Sequence, residues 1–414
     1  MPPYFTHFWQ QRSDETVSPN TEFYSQLVNP GDVFSVLLLL GGDVVAVALA
    51  QLAGSGLAPV TFSFGWVGYS VYALMAAFSQ NRLMPSDPDC KCKIINGENG
   101  YVRDNTSWIL GRIMRDFEYW RDPRVAQRTA DVLDAKWEEM KRENVDAQRP
   151  LRAGLIISIY EPCKSVAAGT VKSDFVYCVG FFVILLQLGI AAIPWGLYGD
   201  WAVLLITTVG TVLALVTGLL PQWKTEKWTC RTHSDKTYIL TKGNGAQNAI
   251  VVLGNGAGFN LEDLASGQTN VDVTTNRLTR WSIIILFFLW IFFLIAAAGI
   301  KQNTWFLLAI GGIGIVQSIY VSSRQRRPEN FGIPLKFVQV IAETRVMDSL
   351  LGAERSYENL GRVLLPEFFP GTLRAEEAAR WDEIHDLHTS KKETVVAMNS
   401  DKKRKVTPSH SVAK

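Results

Sequence analysis

The residue with the clearest chemical potential is Asp43, which lies in the middle of an apolar run from about Val33 to Ala53 that contains no other charge. A run of roughly twenty apolar residues can cross a bilayer, and a charge at its centre costs a few kcal/mol or more. The carboxyl is therefore expected to face the interior of a helix bundle or a cavity. An acid in such a dry site can donate a proton to a substrate or relay a proton or cation, so Asp43 is the candidate catalytic residue.

Aromatic side chains recur at helical intervals in the next apolar run. Phe62, Trp66 and Tyr69 are spaced by four and three residues, and Tyr72 follows one turn later. Such a stripe is most often plain packing or an interfacial belt. Beside a proton donor, a pocket lined by rings can also stabilise a developing carbocation, by roughly 0.5–2 kcal/mol per ring. These four rings are candidate substrate-binding residues.

A polar pair four residues apart, Arg112 and Asp116, lies on a helical pattern that begins at Trp108. Pairs at this spacing usually stabilise a helix by a few tenths of a kcal/mol. Because the pattern lies between apolar runs, the pair is also a candidate for binding the polar head of a substrate.

Other motifs give weaker signals for metals and cofactors. Cys90-Lys-Cys92 is not followed by a second Cys or His pair at zinc spacing, which favours free thiols. The glycine-rich stretch 254–258 reads Gly-Asn-Gly-Ala-Gly, which differs from the dinucleotide fingerprint and lacks a surrounding βαβ unit. We predict no metal and no cofactor, and the net charge of +2 is too small to indicate a nucleic-acid partner.

The elements that must position these residues are apolar blocks separated by charged segments, a distribution typical of multipass membrane proteins. Six spans are predicted, at about 33–53, 59–79, 175–195, 201–220, 281–300 and 304–322. They would form three hairpins with very short outer turns. The sequence thus predicts an all-α integral membrane protein with a cytoplasmic helical cap and a small β-hairpin.

The basic residues predict the orientation. Of the 41 lysines and arginines, only Lys301 lies in one of the short turns, and those near the span ends agree with a cytoplasmic location of the long segments. The N-terminus lacks the pattern of a cleaved signal peptide. We therefore expect a multipass protein of the endoplasmic reticulum or another endomembrane, with both termini in the cytoplasm.

Between the spans, helices are predicted around 108–120 and 125–142, and β-like runs at 237–241 and 249–253 flank a Lys-Gly-Asn-Gly turn. Apolar residues recur at amphipathic spacing from Ile333 to Tyr357, which predicts a helix along the membrane face. The predicted organisation is a cytoplasmic N-terminal segment (1–32), hairpin 1 (33–79), a helical cap (80–174), hairpin 2 (175–220), a loop with the β-hairpin (221–280), hairpin 3 (281–322), an amphipathic C-terminal region (323–388) and a disordered basic tail (389–414).

Three function classes remain open from the residues alone. In an enzyme, Asp43 would protonate an alkene or epoxide of a lipophilic prenyl chain while the rings shield the cation. In a transporter, Asp43 would relay a proton or cation, although transporters usually carry more intramembrane ionisable groups. In a scaffold protein, Asp43 would be a hydrogen-bonded packing residue.

Several longer strings resemble a family of fungal multipass proteins that includes the membrane-bound terpene cyclases of the ascofuranone and macrophorin type. The strings cover nearly the whole chain and are Gly31-Asp-Val-Phe-Ser-Val36, Leu40-Gly-Gly-Asp-Val44, Phe62-Ser-Phe-Gly-Trp-Val67, Asn99-Gly-Tyr-Val-Arg-Asp-Asn105, Trp108-Ile-Leu-Gly-Arg112, Ala192-Ile-Pro-Trp-Gly-Leu-Tyr-Gly-Asp-Trp201, Leu220-Pro-Gln-Trp-Lys224 and Pro366-Glu-Phe-Phe-Pro-Gly-Thr-Leu-Arg374. The resemblance implies metal-independent cyclisation of the farnesyl chain or epoxide of a meroterpenoid precursor in secondary metabolism. It also implies a lipophilic prenylated aromatic substrate, contact with membrane lipids and association with pathway enzymes.

Overall fold

The chain forms two compact units, each assembled from three stretches of sequence. The computed structural model describes residues 41–79, 82–85, 87–267, 276–300 and 302–388. We call the two units the helical unit (Met1–Leu83, Asp174–Lys224 and Asp272–Arg324) and the sheet unit (Met84–Ser173, Thr225–Val271 and Gln325–Lys414). The predicted N-terminal segment and basic tail lie outside the described residues.

The described chain contains both helices and strands. The helices are α1 (Gly42–Leu52), α2 (Gly65–Ser79), α3 (Trp108–Arg115), α4 (Phe117–Trp120), α5 (Pro123–Glu143), α6 (Phe175–Tyr198), α7 (Ala202–Gly218), α8 (Pro221–Lys227), α9 (Leu261–Gly267), α10 (Arg277–Ala298), α11 (Thr304–Ser323), α12 (Val346–Ser356), α13 (Leu360–Phe368) and α14 (375–388). The strands are β1 (Lys93–Asn96), β2 (Val102–Asp104), β3 (Ile156–Pro162), β4 (Thr232–Ser234), β5 (Tyr238–Thr241), β6 (Asn248–Val252), β7 (Gly258–Phe259) and β8 (Leu335–Ala342).

Three helices are long and apolar enough to cross a membrane: α6, α10 and α11. Helices α7 and α8 meet the same test only together, as a pair bent by 40°, and counting that pair as one span gives four in the described part of the chain. The prediction of an all-α protein with six spans is therefore wrong, both in the number of spans and because the chain also forms a six-stranded sheet.

The first predicted hairpin differs most from the prediction. Helix α1 has 11 residues, or about 16 Å at 1.5 Å per residue, which is too short for a bilayer core of about 30 Å. Residues 53–64 join it to α2, and residues 58–64, which we call the buried connector, are fully buried chain outside any helix or strand. The alternating Thr-Phe-Ser-Phe of residues 61–64 and the preceding Pro59 favour extended backbone over helix. Residues 33–40 of this predicted span lie outside the described residues.

Two glutamines satisfy the backbone of the buried connector. Gln187 Nε2 donates to Phe62 O and to Ile310 O, each at 2.8 Å. Gln317 donates from Nε2 to Pro59 O at 3.2 Å and accepts from Thr61 N at 3.3 Å through Oε1. Because non-helical backbone in an apolar environment must be paired, these side chains explain how a non-helical segment can be buried among helices.

Small residues on the surrounding helices make room for the buried connector. An alanine Cβ at Gly314 of α11 would overlap Phe62 O, and one at Gly210 of α7 would lie 2.6 Å from the Phe62 ring. Because glycine has no side chain, the connector backbone can lie against α11 at Gly314 and the Phe62 ring can lie against α7 at Gly210.

The sheet unit is built on one mixed sheet with the strand order β2-β1-β5-β6-β3-β8. Strands β3 and β6 pair in parallel, from Ile156 opposite Asn248 to Tyr160 opposite Val252, and all other neighbours are antiparallel. Strands β4 and β7 form a separate pair. The predicted helices of the cap and the predicted β-hairpin are present, but the hairpin strands β5 and β6 lie inside this larger sheet.

The predicted amphipathic helix from Ile333 to Tyr357 is wrong in its first half. Residues Leu335–Ala342 form strand β8, which pairs antiparallel with β3, and the chain becomes helical only at Val346. Phe337, Val338, Val340 and Ile341 are aromatic or β-branched, and pairing with β3 overrides the helical spacing of the apolar residues. Helices α12 to α14 then cover one sheet face, where Leu350, Leu364 and Ile384 join the core.

Candidate functional site

Asp43 is exposed and lies in the first turn of α1. A carboxylate is favoured there by the unpaired N–H groups of the helix start. The described helix begins at Gly42, and residues 33–40 of the predicted span lie outside the described residues. In the helical unit, the described acidic residues are Asp43, Asp174 and Asp200, and none is buried. The catalytic role of Asp43 stays a prediction.

The predicted rings do come together in the helical unit. Phe62, Trp66 and Tyr69 are buried, and Tyr72 is half-buried with its ring centroid 6.5 Å from that of Tyr69. The prediction missed Trp290 of α10, whose indole stacks on that of Trp66 at 5.6 Å and 8°. It also missed Phe64 and Phe293, which contact Phe62 edge-to-face at 5.6 and 5.4 Å. The three-residue spacing of Trp290 and Phe293 on one helix was the available signal. We call these side chains the ring cluster: Phe62, Phe64, Trp66, Tyr69, Trp290 and Phe293.

The ring cluster is closely packed. A cavity of about 10 Å³ lies beside it, lined by Tyr69, Thr217, Phe287 and Trp290 among others. That volume is at the lower limit for a single water molecule. As described, these rings form a packed core.

Arg112 and Asp116 lie in the sheet unit and are buried, with 1% and 0% of their surface exposed. Arg112 Nε lies 2.8 Å from Asp89 Oδ2, as an ion pair without hydrogen-bond geometry. Burial lowers the pKa of Arg112 to about 10, with Asp89 opposing the shift, so the guanidinium stays charged at neutral pH. Neither residue can contact a ligand directly.

Asp116 instead fixes the neighbouring Arg115. Its Oδ1 accepts from Arg115 Nε at 2.7 Å, and its Oδ2 accepts from the backbone N–H of Arg326 at 3.1 Å. Arg115 Nη1 reaches Asp89 Oδ2 at 3.0 Å, while its Nη2 is buried and has no hydrogen-bond partner among the described residues. Asp116, one of the two residues predicted from the sequence, therefore positions the neighbouring Arg115.

Arg115 lines a cleft of about 400 Å³, which we call the basic cleft. The end of α3 and the start of α4 form one wall, the β5–β6 turn forms another, and Arg152 lies before β3. The lining residues are Met114, Arg115, Phe117, Glu118, Arg152, Lys242, Asn244, Gly245, Ala246, Gln247 and Asn248. The turn is set by Gly243 and Gly245, whose φ angles of 90° and 80° lie in the region that favours glycine.

The basic cleft is rich in hydrogen-bond donors and positive charge. Arg115, Arg152 and Lys242 line it, and Gln247 Nε2 is buried without a hydrogen-bond partner among the described residues. Its single lining carboxylate, Glu118, is already paired with Arg121 Nη1 at 2.7 Å and accepts from Asn248 Nδ2 at 3.3 Å. This arrangement is suited to an anion that accepts several hydrogen bonds.

Sequence reasoning found the neighbourhood of this cleft but not its composition. The Lys-Gly-Asn-Gly turn was identified only as a turn, and Arg152 carried no signal at all. Pairing of β5 with β6 and of β6 with β3 brings residues 242–248 close to residue 152, and residues 115–118 of α3 and α4 complete the lining.

Among the described residues, no group of three or more His, Cys, Asp or Glu side chains could hold a metal ion. The absence of a metal and a cofactor stays a prediction. Comparisons of the chain with protein-family models, with curated proteins and with solved structures found no match.

Proposed function

We propose that this chain is a multipass membrane protein whose sheet unit binds a phosphorylated small molecule in the basic cleft. The observation that carries the proposal is the convergence of three cationic side chains, Arg115, Arg152 and Lys242, on one concavity.

The chemistry of the lining favours a phosphate group over other ligands. Arginine presents paired N–H donors that match phosphate oxygens, and lysine adds a point charge. Asn248 and Gln247, which also line the cleft, carry amide groups that suit a hydroxyl group on the rest of the ligand. A volume of about 400 Å³ lies within the usual range for small-molecule sites.

The location proposed for the sheet unit is the cytoplasmic side of the membrane. Three stretches of chain contribute to one sheet: β1, β2 and β3 precede α6, β5 and β6 lie between α7 and α10, and β8 follows α11. The helix pair α6 and α7 separates the first stretch from the second, and the pair α10 and α11 separates the second from the third. Each pair of apolar helices must therefore return the chain to the same side, which supports a hairpin arrangement of these helices. The cytoplasmic termini and the endoplasmic reticulum location rest on the charge pattern alone.

Calorimetric titration of the full chain in detergent with inorganic phosphate and pyrophosphate tests the proposal. Pyrophosphate should bind saturably and more tightly than phosphate. Lys242→Gln and Arg152→Gln should each weaken binding about tenfold, because each removes a charge-assisted contact. Both side chains are exposed, so the fold should tolerate the substitutions.

Two further variants sharpen the test. Arg142→Gln makes the same charge change at an exposed position outside the cleft and should leave binding unchanged. Glu118→Gln removes the lining carboxylate and should tighten binding about threefold, since a like charge near the ligand is lost. Equal effects of Arg142→Gln and Lys242→Gln, or weaker binding in Glu118→Gln, would reject a localised anion site.

A second candidate, terpene cyclisation as the sequence resemblance implies, is supported by the ring cluster. Its rings lie in the unit that contains α6, α10 and α11, where a prenyl chain dissolved in the membrane could reach them. In this proposal, the rings stabilise the cation and Asp43, the acid predicted from the sequence, supplies the proton.

Microsomes that contain the protein, supplied with a farnesylated phenol or its epoxide, test the cyclase proposal. A cyclised product should form, and Asp43→Asn should reduce its rate at least 100-fold, the lower range for loss of a general acid. Unchanged turnover in Asp43→Asn would remove Asp43 from the mechanism. No product from the unsubstituted protein would reject cyclisation of these substrates and leave the phosphate-binding proposal unaffected.

A further inference from the structure

A second basic concavity lies in the helical unit, where the end of α2 packs against the start of α10. It has a volume of about 460 Å³ and is lined by Phe78, Arg277, Arg280, Trp281 and Ile284. We call it the interfacial groove. Four of these residues lie on one face of α10, because they are three or four positions apart. They are Arg277, Arg280, Trp281 and Ile284.

The groove combines two cations with apolar walls. Arg280 Cζ lies 4.4 Å from the centroid of the Phe78 ring, a cation–π contact that holds the guanidinium at the groove. Arg277 is exposed, and neither arginine has a carboxylate partner among the described residues. Trp281 and Phe78 expose 63% and 50% of their surface.

These features lie at the end of a helix that is long and apolar enough to cross a membrane. Tryptophan and arginine are favoured at the boundary between hydrocarbon and headgroups. An anionic headgroup complements the two guanidinium groups, and an acyl chain complements Trp281 and Ile284. Basic pockets between membrane helices recognise anionic lipid headgroups in this way.

We propose that the interfacial groove binds one anionic glycerophospholipid, with its phosphate on Arg277 and Arg280 and an acyl chain along Trp281 and Ile284. The site is separate from the basic cleft in residues and in ligand, because the groove requires a lipid chain and the cleft does not.

Native mass spectrometry of the delipidated full chain measures this binding directly, with phosphatidic acid and phosphatidylcholine of equal chain length as the two lipids. The unsubstituted protein should bind phosphatidic acid about 25-fold better, since two charges contribute about fivefold each. The double variant Arg277→Gln with Arg280→Gln should lose that preference, and Arg277→Gln alone should reduce it about fivefold, since each charge near an anionic lipid contributes roughly 1 kcal/mol. The single variant changes only an exposed side chain, so it keeps the test valid if the double variant does not fold.

Three outcomes separate this proposal from its alternatives. Arg324→Gln removes a charge at the end of another apolar helix and should keep the preference for phosphatidic acid. Lys242→Gln in the basic cleft should also keep it, so the lipid proposal and the proposed function fail separately. Equal binding of both lipids, full retention of the preference in the double variant, or complete displacement of the lipid by glycerol 3-phosphate would overturn the proposal.

Discussion

Gly314→Ala should disrupt the helical unit, with a fall in the free energy of unfolding of about 3–5 kcal/mol. The new Cβ would overlap Phe62 O and lie 3.0 Å from Gln187 Nε2, the donor to that oxygen. The buried connector would have to move away from α11, and its backbone would lose hydrogen bonds that no water can replace in an apolar interior. Thermal unfolding of the purified protein in detergent, followed by tryptophan fluorescence, measures the effect.

Gly312→Ala is the matched control, because it lies on the same helix and an added Cβ there meets nothing within 4 Å. It should leave the unfolding temperature unchanged or raise it slightly, since alanine favours helix over glycine by about 1 kcal/mol. Similar unfolding temperatures for the two variants would contradict the placement of the buried connector against α11.

Asp116→Ala should destabilise the sheet unit by about 3–5 kcal/mol, the usual cost of removing one partner from a buried ion pair. The carboxylate is fully buried and accepts from Arg115 Nε and from the Arg326 backbone. Its loss would leave the Arg115 guanidinium unrestrained on one side. Pyrophosphate binding should therefore weaken as well, even though Asp116 does not line the basic cleft.

The control for Asp116→Ala is Asp134→Ala. Asp134 pairs with Arg149 at 2.7 Å, but both side chains are about half exposed, and such a pair contributes roughly 0–1 kcal/mol. The expected order is a large loss of stability for Asp116→Ala and almost none for Asp134→Ala, measured by chemical denaturation. Equal losses would mean that the Asp116 contacts do not stabilise the unit.

Long apolar helices and local turns could be predicted from the sequence, because both depend on nearby residues. The spans near 175–195, 281–300 and 304–322 correspond to α6, α10 and α11, and the cap helices and the β5–β6 turn are also present. Hydropathy could not show that the second predicted span, 59–79, begins with the buried connector. Its burial depends on Gln187, Gln317 and glycines more than 100 residues away.

The six-stranded sheet was missed for a related reason. Its neighbours β3 and β6 are separated in sequence by α6, α7 and α8, and β8 follows two more apolar helices. Pairing between distant strands leaves no local pattern beyond short β-branched runs. In Leu335–Ala342 the apolar residues also recur at helical spacing, so the sequence alone favours a helix there.

The candidate site could be predicted only in part. The ring spacing in α2 did identify rings that pack together, but their partners lie on α10. Asp43 was chosen from the length of an apolar run, whereas a helix start at Gly42 leaves it exposed. The basic cleft has no sequence motif, since Arg115, Arg152 and Lys242 meet only through the sheet.

The central claim, that the basic cleft binds a phosphate group, is tested most directly by equilibrium dialysis of the full chain against radiolabelled pyrophosphate at low and high salt. We expect one saturable site, with weaker binding at high salt because its cations are partly exposed. Combining Lys242→Glu with Arg152→Glu should abolish binding. Arg142→Glu should bind like the unsubstituted protein. Binding that is absent from the unsubstituted protein, or unaffected by the double charge reversal, would contradict the claim.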